Sequence, residues 1–375
     1  MSKKTKVKEI IKKFSVRWFI TAFSGMASGL FCTLIAGTIV ALIASWVGDN
    51  LIGYYLTTFA TLAKILMGAG IGIGIAYKLN AKPLVVFSAA VTGLIGAYAF
   101  EITNKAVTPE FFATVFKVGK PGNPIGAYVL SLLTIEICNL YAGKTKLDIV
   151  LIPLGMIFLS ILGVYVAWPF IRLIDLFAEL LVILINAGAA IKIITGIVIA
   201  IVMGILLTMP TSSAAIWLSI ATSNTAVNNP EVFAIAGGAA VAGCAAHMIG
   251  FAVASFRENG VGGLISQGLG TSMLQIPNIM VKPIIMLPEI ISSAFAGLVA
   301  VLLGLRCNAA GGGMGTSGLV GLFGVLEASK GIPTVNMVLG IVLCLFLIPA
   351  GVSFFVSEFM RKKGVIKFGD QKLEN

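Results

Sequence analysis

One histidine, His247, stands in the apolar stretch "GCAAHMIGF". An ionisable side chain inside such a run is costly and is usually kept for function. Gly243, Cys244 and Gly250 lie three or four residues away. On a helix they share the imidazole's face, which is otherwise small and can open to a cavity. His247 can there hydrogen-bond a substrate, or its ring can be satisfied by a backbone carbonyl inside a bundle. Glu289 is the second such residue. It follows Pro288, where a helix should begin, and a carboxylate there suits either the free N–H groups of that terminus or a sugar hydroxyl. Three short runs share a pattern: "MPTSSAAI" from Met209, "LGTSMLQI" from Leu269 and "MGTSGLVG" from Met314. In each, a proline or glycine ends one element and Thr-Ser opens the next, where a hydroxyl can cap the free N–H groups. Thr211, Ser212, Thr271, Ser272 and Thr316 would then gather around one cavity. Gln275 and Asn278 would add neutral hydrogen-bonding groups beside the second break. A polyhydroxylated or anionic solute suits the hydroxyl and N–H lining, and the neutral amides suit sugar recognition better than ion binding.

Other chemistry is poorly supplied. A single histidine with no Ser-centred elbow argues against a serine or zinc hydrolase. The five cysteines (Cys32, Cys138, Cys244, Cys307, Cys344) are scattered and mostly apolar in context, with no metal-ligand spacing. "NAAGGGMGTSG", 308–318, imitates a phosphate cradle but lacks the P-loop lysine and its strand. No metal or cofactor is expected.

The elements that position these residues are membrane helices. Of 375 residues, 58% are hydrophobic and 11% charged, with mean hydropathy +1.03; a soluble domain carries about 25% charged residues. The net charge of +11 is concentrated at the two ends, in Lys3, Lys4, Lys6, Lys8, Lys12, Lys13 and Arg17 and in Arg361, Lys362, Lys363, Lys367 and Lys372. Basic ends beside spans mark the cytoplasmic side and can touch anionic lipid; no nucleic-acid partner is implied. The charged start, followed by about thirty largely apolar residues, exceeds a signal-peptide core and reads as an uncleaved first span.

Spans of about 20 residues are expected at 18–47, 55–77, 83–100, 124–141, 147–167, 193–209, 231–254, 284–305 and 335–357. The loop 101–123 should lie outside. Two cytoplasmic termini require an even number of crossings, so nine spans leave one segment to be found or reassigned. Segment 168–192 carries Arg172, Asp175 and Glu179 on one face and reads as an amphipathic, interfacial helix. The chain thus divides into a basic segment 1–17, helices 18–167, the amphipathic helix 168–192, a transport-type region 193–357 and a basic tail 358–375. Lys64 and Glu136 are expected to pair inside the first helical region, and "SFRENG", 255–260, reads as a solvated turn. Segment 260–290 contains Pro277, Pro283 and Pro288. Each interior proline removes a backbone donor, and non-helical backbone at membrane depth survives only where protein or a watery cavity shields it. The segment is therefore expected to be a re-entrant hairpin with Thr271, Ser272, Gln275 and Asn278 near its tip, facing solute, and with Glu289 starting the next helix.

"GMASGLFCTLIAGTIV", "MPTSSAAIW", "AAHMIGF" and "GTSMLQIPNIMVKPIIMLP" together resemble the membrane (enzyme IIC) components of the bacterial phosphotransferase system, in particular the stand-alone PfoR-type branch, over nearly the whole chain. The resemblance implies an all-α polytopic protein of the bacterial plasma membrane with about ten transmembrane helices, re-entrant hairpins, an interfacial helix and a homodimer. In sugar-transporting relatives a histidine and a hairpin glutamate contact the sugar; His247 answers to the first. The relatives' Glu-Pro dipeptide is absent, and Glu289 follows its proline. Neither terminus carries a phosphorylatable domain, so any phosphotransfer would need a separate phosphocarrier protein. The resemblance therefore implies a transporter of a sugar or related hydrophilic solute. The alternative is a membrane sensor that uses the same fold to control gene expression. A plain ion channel is disfavoured by the lack of an acidic ring or repeated filter.

Overall fold

The structure, a computed structural model, describes residues 14, 16–209, 213–329 and 333–373. Every regular element among them is helical. Two compact units are formed, Met1–Leu176 and Phe177–Asn375.

The first unit contains α1 (Val16–Val47), α2 (Leu51–Ile65), α3 (Met67–Lys78), α4 (Pro83–Ala97), α5 (Pro109–Val118) and α6 (Pro124–Asn139). It is assembled on small residues. A Cβ placed on Gly25 of α1 would fall 2.5 Å from the Gly74 carbonyl oxygen of α3, one on Gly68 of α3 would fall 2.6 Å from that of Gly93 in α4, and one on Gly96 of α4 would fall 2.5 Å from that of Gly126 in α6. Lipid gives apolar helices no solvophobic reason to associate, so backbone contact through small residues supplies the packing energy. The expected span 55–77 is a pair of helices, α2 and α3, bent by 53°. The loop 101–123 is not structureless. Thr108 accepts a hydrogen bond from the Phe111 N–H, Pro109 opens α5 and Gly119, at φ +69°, closes it. Asn123 then caps α6 by accepting from the Ile125 and Gly126 N–H groups.

The expected Lys64–Glu136 pair does not form. Glu136 is held by Arg17, with Nε–Oε1 at 2.6 Å, and by the Trp18 indole N–H at 3.2 Å. Lys64 lies instead against Gly37 and Gly119. The guanidinium fork and the indole together satisfy the carboxylate better than one ammonium could.

No helix begins near 168. α7 runs without interruption from Asp148 to Asn186, through Pro153 and Pro169, and the chain breaks only at Gly188, φ +123°. Arg172 and Asp175 are neighbours on it, 3.8 Å apart.

The second unit is built around α8 (Ala189–Thr208), α9 (Pro230–Ala254), α10 (Leu287–Leu302) and α11 (Thr334–Lys362), which pack on one another. α9 is the centre: its apolar window is 78% buried, against 39% for α8 and 28% for α11. Its composition explains this. "AGGAAVAGCAAHMIG" has almost no bulk on any side, so neighbours approach from all round. At Gly243 a Cβ would overlap the Ala200 carbonyl and lie 2.5 Å from Ala200 Cα of α8. Among the described residues six helices are long and apolar enough to cross a membrane, or up to seven if the bent pair counts as one span. The shorter α4 and α6 coincide with expected spans but fall below the required length.

Gly243→Val should therefore overpack the α8–α9 contact and cost about 1–3 kcal/mol. Gly262→Ala, where nothing lies within 4 Å, should be neutral or slightly stabilising. Thermal unfolding of both variants in the same detergent checks the contrast.

Candidate functional site

Between α9 and α10 the chain never forms a full-length helix. A short helix, Phe256–Ile265, kinks at Gly260, φ +58°. A wide turn, Ser266–Gly270, ends at Thr271, which is extended at φ −162°. Ser272–Gln275 and Ile276–Val281 follow, then Lys282 breaks the chain again at φ −142°. The prolines obey a simple rule. Pro277, Pro283 and Pro288 each fall in the first turn of a new piece. There the missing N–H would have had no helical partner anyway. None of the three kinks a continuous helix.

His247 is fully buried on α9. Its Nδ1 lies 2.8 Å from Thr208 Oγ1, and that hydroxyl lies 2.8 Å from Ser272 Oγ. The last residue of α8, the imidazole and the first residue after the Thr271 break thus form one chain. His247 Nε2 has no hydrogen-bond partner. Glu289, in the first turn of α10, is fully buried, and both its carboxylate oxygens are without a partner. Beside it Ser353 of α11 is buried with a free hydroxyl. Gly250 makes room for both: a Cβ there would lie 2.5 Å from Ser353 Oγ and 3.0 Å from Glu289 Cγ. Two turns earlier on the same face of α9, the Gly243 carbonyl accepts from Ser293 Oγ at 3.4 Å, and Ser293 also donates to the Glu289 carbonyl at 2.8 Å.

Leaving a buried polar group unpaired costs about 1–3 kcal/mol. One ring nitrogen, two carboxylate oxygens and one hydroxyl carry that cost here, on three mutually packed helices. They offer the donors and acceptors that neighbouring hydroxyls of a ligand require. Among the described residues no group of histidine, cysteine, aspartate or glutamate could hold a metal.

The second and third Thr-Ser breaks meet, by a different mechanism from capping. Thr211 and Ser212 lie outside the described residues. The next serine, Ser213, donates to the Gly313 carbonyl of the third break at 2.7 Å. Thr316 donates to the Gly268 carbonyl of the second break at 2.5 Å, and Ser317 to Gly270 at 2.9 Å. Thr271 alone caps in the expected way, accepting from the Met273 N–H at 3.2 Å.

Gln275 and Asn278 are turned to another use. Gln275 Nε2 donates to Gln267 Oε1 at 2.8 Å and to the Gln371 carbonyl at 2.9 Å. Asn278 Nδ2 donates to Gln275 Oε1 at 2.7 Å and to the Lys372 carbonyl at 2.9 Å. Both hold the tail. "SFRENG" is likewise no solvated turn. Glu258 is buried and accepts from Arg361 Nη1 at 3.0 Å, Gly369 N at 2.9 Å and Gln371 N at 3.0 Å. Thr208 and Ser353 were not singled out in the sequence. Thr208 lies two residues before the Pro210 break and Ser353 four after Pro349, and that proximity to breakers was their only signal.

Four interlocking transmembrane-type helices, interrupted backbone beside them and unpaired polar groups buried at their centre define a polytopic solute-handling membrane protein. Residues 20–373 match the family model described as Phosphotransferase system, EIIC. The match covers nearly the whole chain, and the chain belongs to that family, the membrane permease component of the system. Comparison with curated proteins and with solved structures gives no match.

The tail has its own titration. Burial alone would raise the Asp370 carboxyl, but hydrogen bonds from Lys282 and from the Lys367 N–H, together with both lysine charges, hold it below its ordinary value of 3.8. A depressed folded-state pKa gives stability that is present above the ordinary value and lost as pH falls through the folded one. Tail attachment should therefore be unchanged between pH 8 and pH 5 and weaken only in stronger acid. Hydrogen exchange of 366–373, corrected for its intrinsic pH dependence, measures this.

Proposed function

We propose that this permease carries a small polyhydroxylated solute, a sugar or close relative, and that His247, Glu289 and Ser353 bind it together with the hydroxyl pair Thr208–Ser272. The observation that carries the reading is the pair of ionisable side chains, both fully buried, whose outward hydrogen-bonding atoms have no protein partner. A sugar offers adjacent hydroxyls that donate to the carboxylate and satisfy the imidazole nitrogen. Thr316, Thr271, Gln275 and Asn278 act one step back, by fixing the broken backbone.

Phosphoryl transfer would come from a separate phosphocarrier. The chain's one histidine is fully buried and hydrogen-bonded through Nδ1, which suits ligand recognition and not relay to a docking protein. The basic ends support a cytoplasmic side for both termini. Tags at either end should be protected in sealed right-side-out vesicles and exposed in inverted ones.

Glu289→Gln and His247→Gln keep shape while altering the unpaired atoms. Each should reduce uptake of labelled sugars at least about tenfold, the equivalent of one strong hydrogen bond, with detergent stability unchanged. Wild-type uptake in both variants would overturn the assignment. Phosphorylated product appearing only when a phosphocarrier is present would show the coupling.

A further inference from the structure

The broken segment is fastened from outside its own sequence. Its pieces run to ten, five, four and six residues, far below the about 12–15 at which a helix is even marginal alone. Residues 366–373 supply what the pieces lack. Ile366 is 1% exposed and packs in one apolar cluster with Ile279 and Ile285 of the segment, Phe251 of α9 and Met360 of α11. Lys282 Nζ meets Asp370 Oδ2 at 2.6 Å. The Gln371 carbonyl accepts from Gln275 and from Asn259 Nδ2, the Lys372 carbonyl accepts from Asn278, and the Leu373 N–H donates to Asn259 Oδ1. Glu258 anchors the other edge through the Gly369 and Gln371 N–H groups.

We propose that residues 366–373 are a latch, which holds the broken segment 266–282 in its closed packing and must be displaced before that segment can move. Two features separate a latch from ordinary packing. The tail presents mainly backbone N–H and C=O groups to side-chain amides and one carboxylate, so the groove reads this turn-containing stretch by its backbone. Its single specific side-chain bond to the segment, Asp370–Lys282, is partly exposed, at 23% and 30%, and can be broken by a competitor. The segment is also polarised. Gln275 and Asn278 face the tail, while Ser272, three residues earlier, reaches Thr208 and through it His247. Motion of the segment would carry Ser272 away from the imidazole. The latch itself stands on tail contacts alone and does not need the solute assignment.

The test uses full-length protein and hydrogen exchange. Lys282→Asp and Asp370→Lys should each speed exchange in 272–282 and 366–373 at least about tenfold, as expected for loss of one charge-assisted hydrogen bond, with α9 and α10 unchanged. The double variant Lys282→Asp/Asp370→Lys reverses the pair and should restore protection. Ile366→Ala, which withdraws the apolar anchor without touching charge, should open the same two regions together. Unchanged exchange in the single variants, a rise spread equally over α9 and α10, or failure of the double variant to restore protection would each overturn the latch. Because exchange is read without solute, loss of uptake in the Glu289 and His247 variants bears on the other assignment only.

Discussion

Backbone that leaves the helix inside a bilayer must find its hydrogen bonds in protein, because lipid has none to give. In the second unit that requirement is met by hydroxyls from other elements. The carbonyls freed at Gly268 and Gly270 are taken by Thr316 and Ser317, and the carbonyl at Gly313 by Ser213. The third break supplies the donors that the second needs, and Ser213 supplies the one that the third needs. The Thr-Ser pairs are therefore structural couplers first. Losing one hydroxyl would orphan a carbonyl in a different element, which ties distant stretches of sequence into one cooperative site.

The same requirement explains the composition of α9. The breaks can meet only if the helix between them has almost no width. Gly243 lets α8 come to backbone contact, Gly250 admits Glu289 and Ser353, and Gly315, at φ +56°, packs against Cys244 and Ala245. His247 and, one turn on, Phe251 are then the large side chains on that face, their ring centroids 6.2 Å apart, and His247 is the polar one. It carries a free ring nitrogen. A helix of small residues that keeps a single imidazole is consistent with the solute contact proposed for His247. A helix kept only for packing would have filled the position with leucine.

What the sequence disclosed and what it withheld follow from the range of the forces involved. Breakers act on their own neighbours, so the interruption of 260–290, the three prolines and the Thr-Ser restarts were all legible. Burial of His247 and Glu289 was legible too, since an ionisable residue in an apolar run has nowhere else to go. Partner choice was not. Glu136 is joined to Arg17 across 119 positions, and Glu258 to Arg361 across 103. Nothing in local pattern distinguishes Arg17 from Lys64 as the mate of Glu136. The role of the tail was hidden too. "GVIKFGDQKLEN" has no helical or strand periodicity and several charges, which mark it only as a basic tail, yet its backbone is what Gln275, Asn278 and Asn259 bind. Backbone groups are the same at every residue and leave no mark in a sequence. The continuity of α7 through Pro169 was hidden for the opposite reason: the proline signalled a break that the helix did not take.

Gln275 and Ser272 sit on one turn and serve opposite neighbours. Four residues of tightly wound helix, Ser272–Gln275, are too short to flex internally, so a displacement at one end is felt at the other. The tail carbonyl of Gln371 and the imidazole of His247 are in this way separated by three hydrogen bonds and one rigid turn. Any event that favours the detached tail must also shift the position of the Ser272 hydroxyl, and by reciprocity any ligand that prefers one position of that hydroxyl must bias the tail. A permease that has to present its polar centre to one side of the membrane and then the other needs an element with two packings. The broken segment has helical pieces too short to stand alone, freed carbonyls held by Thr316 and Ser317, and an outer edge held by groups that can let go.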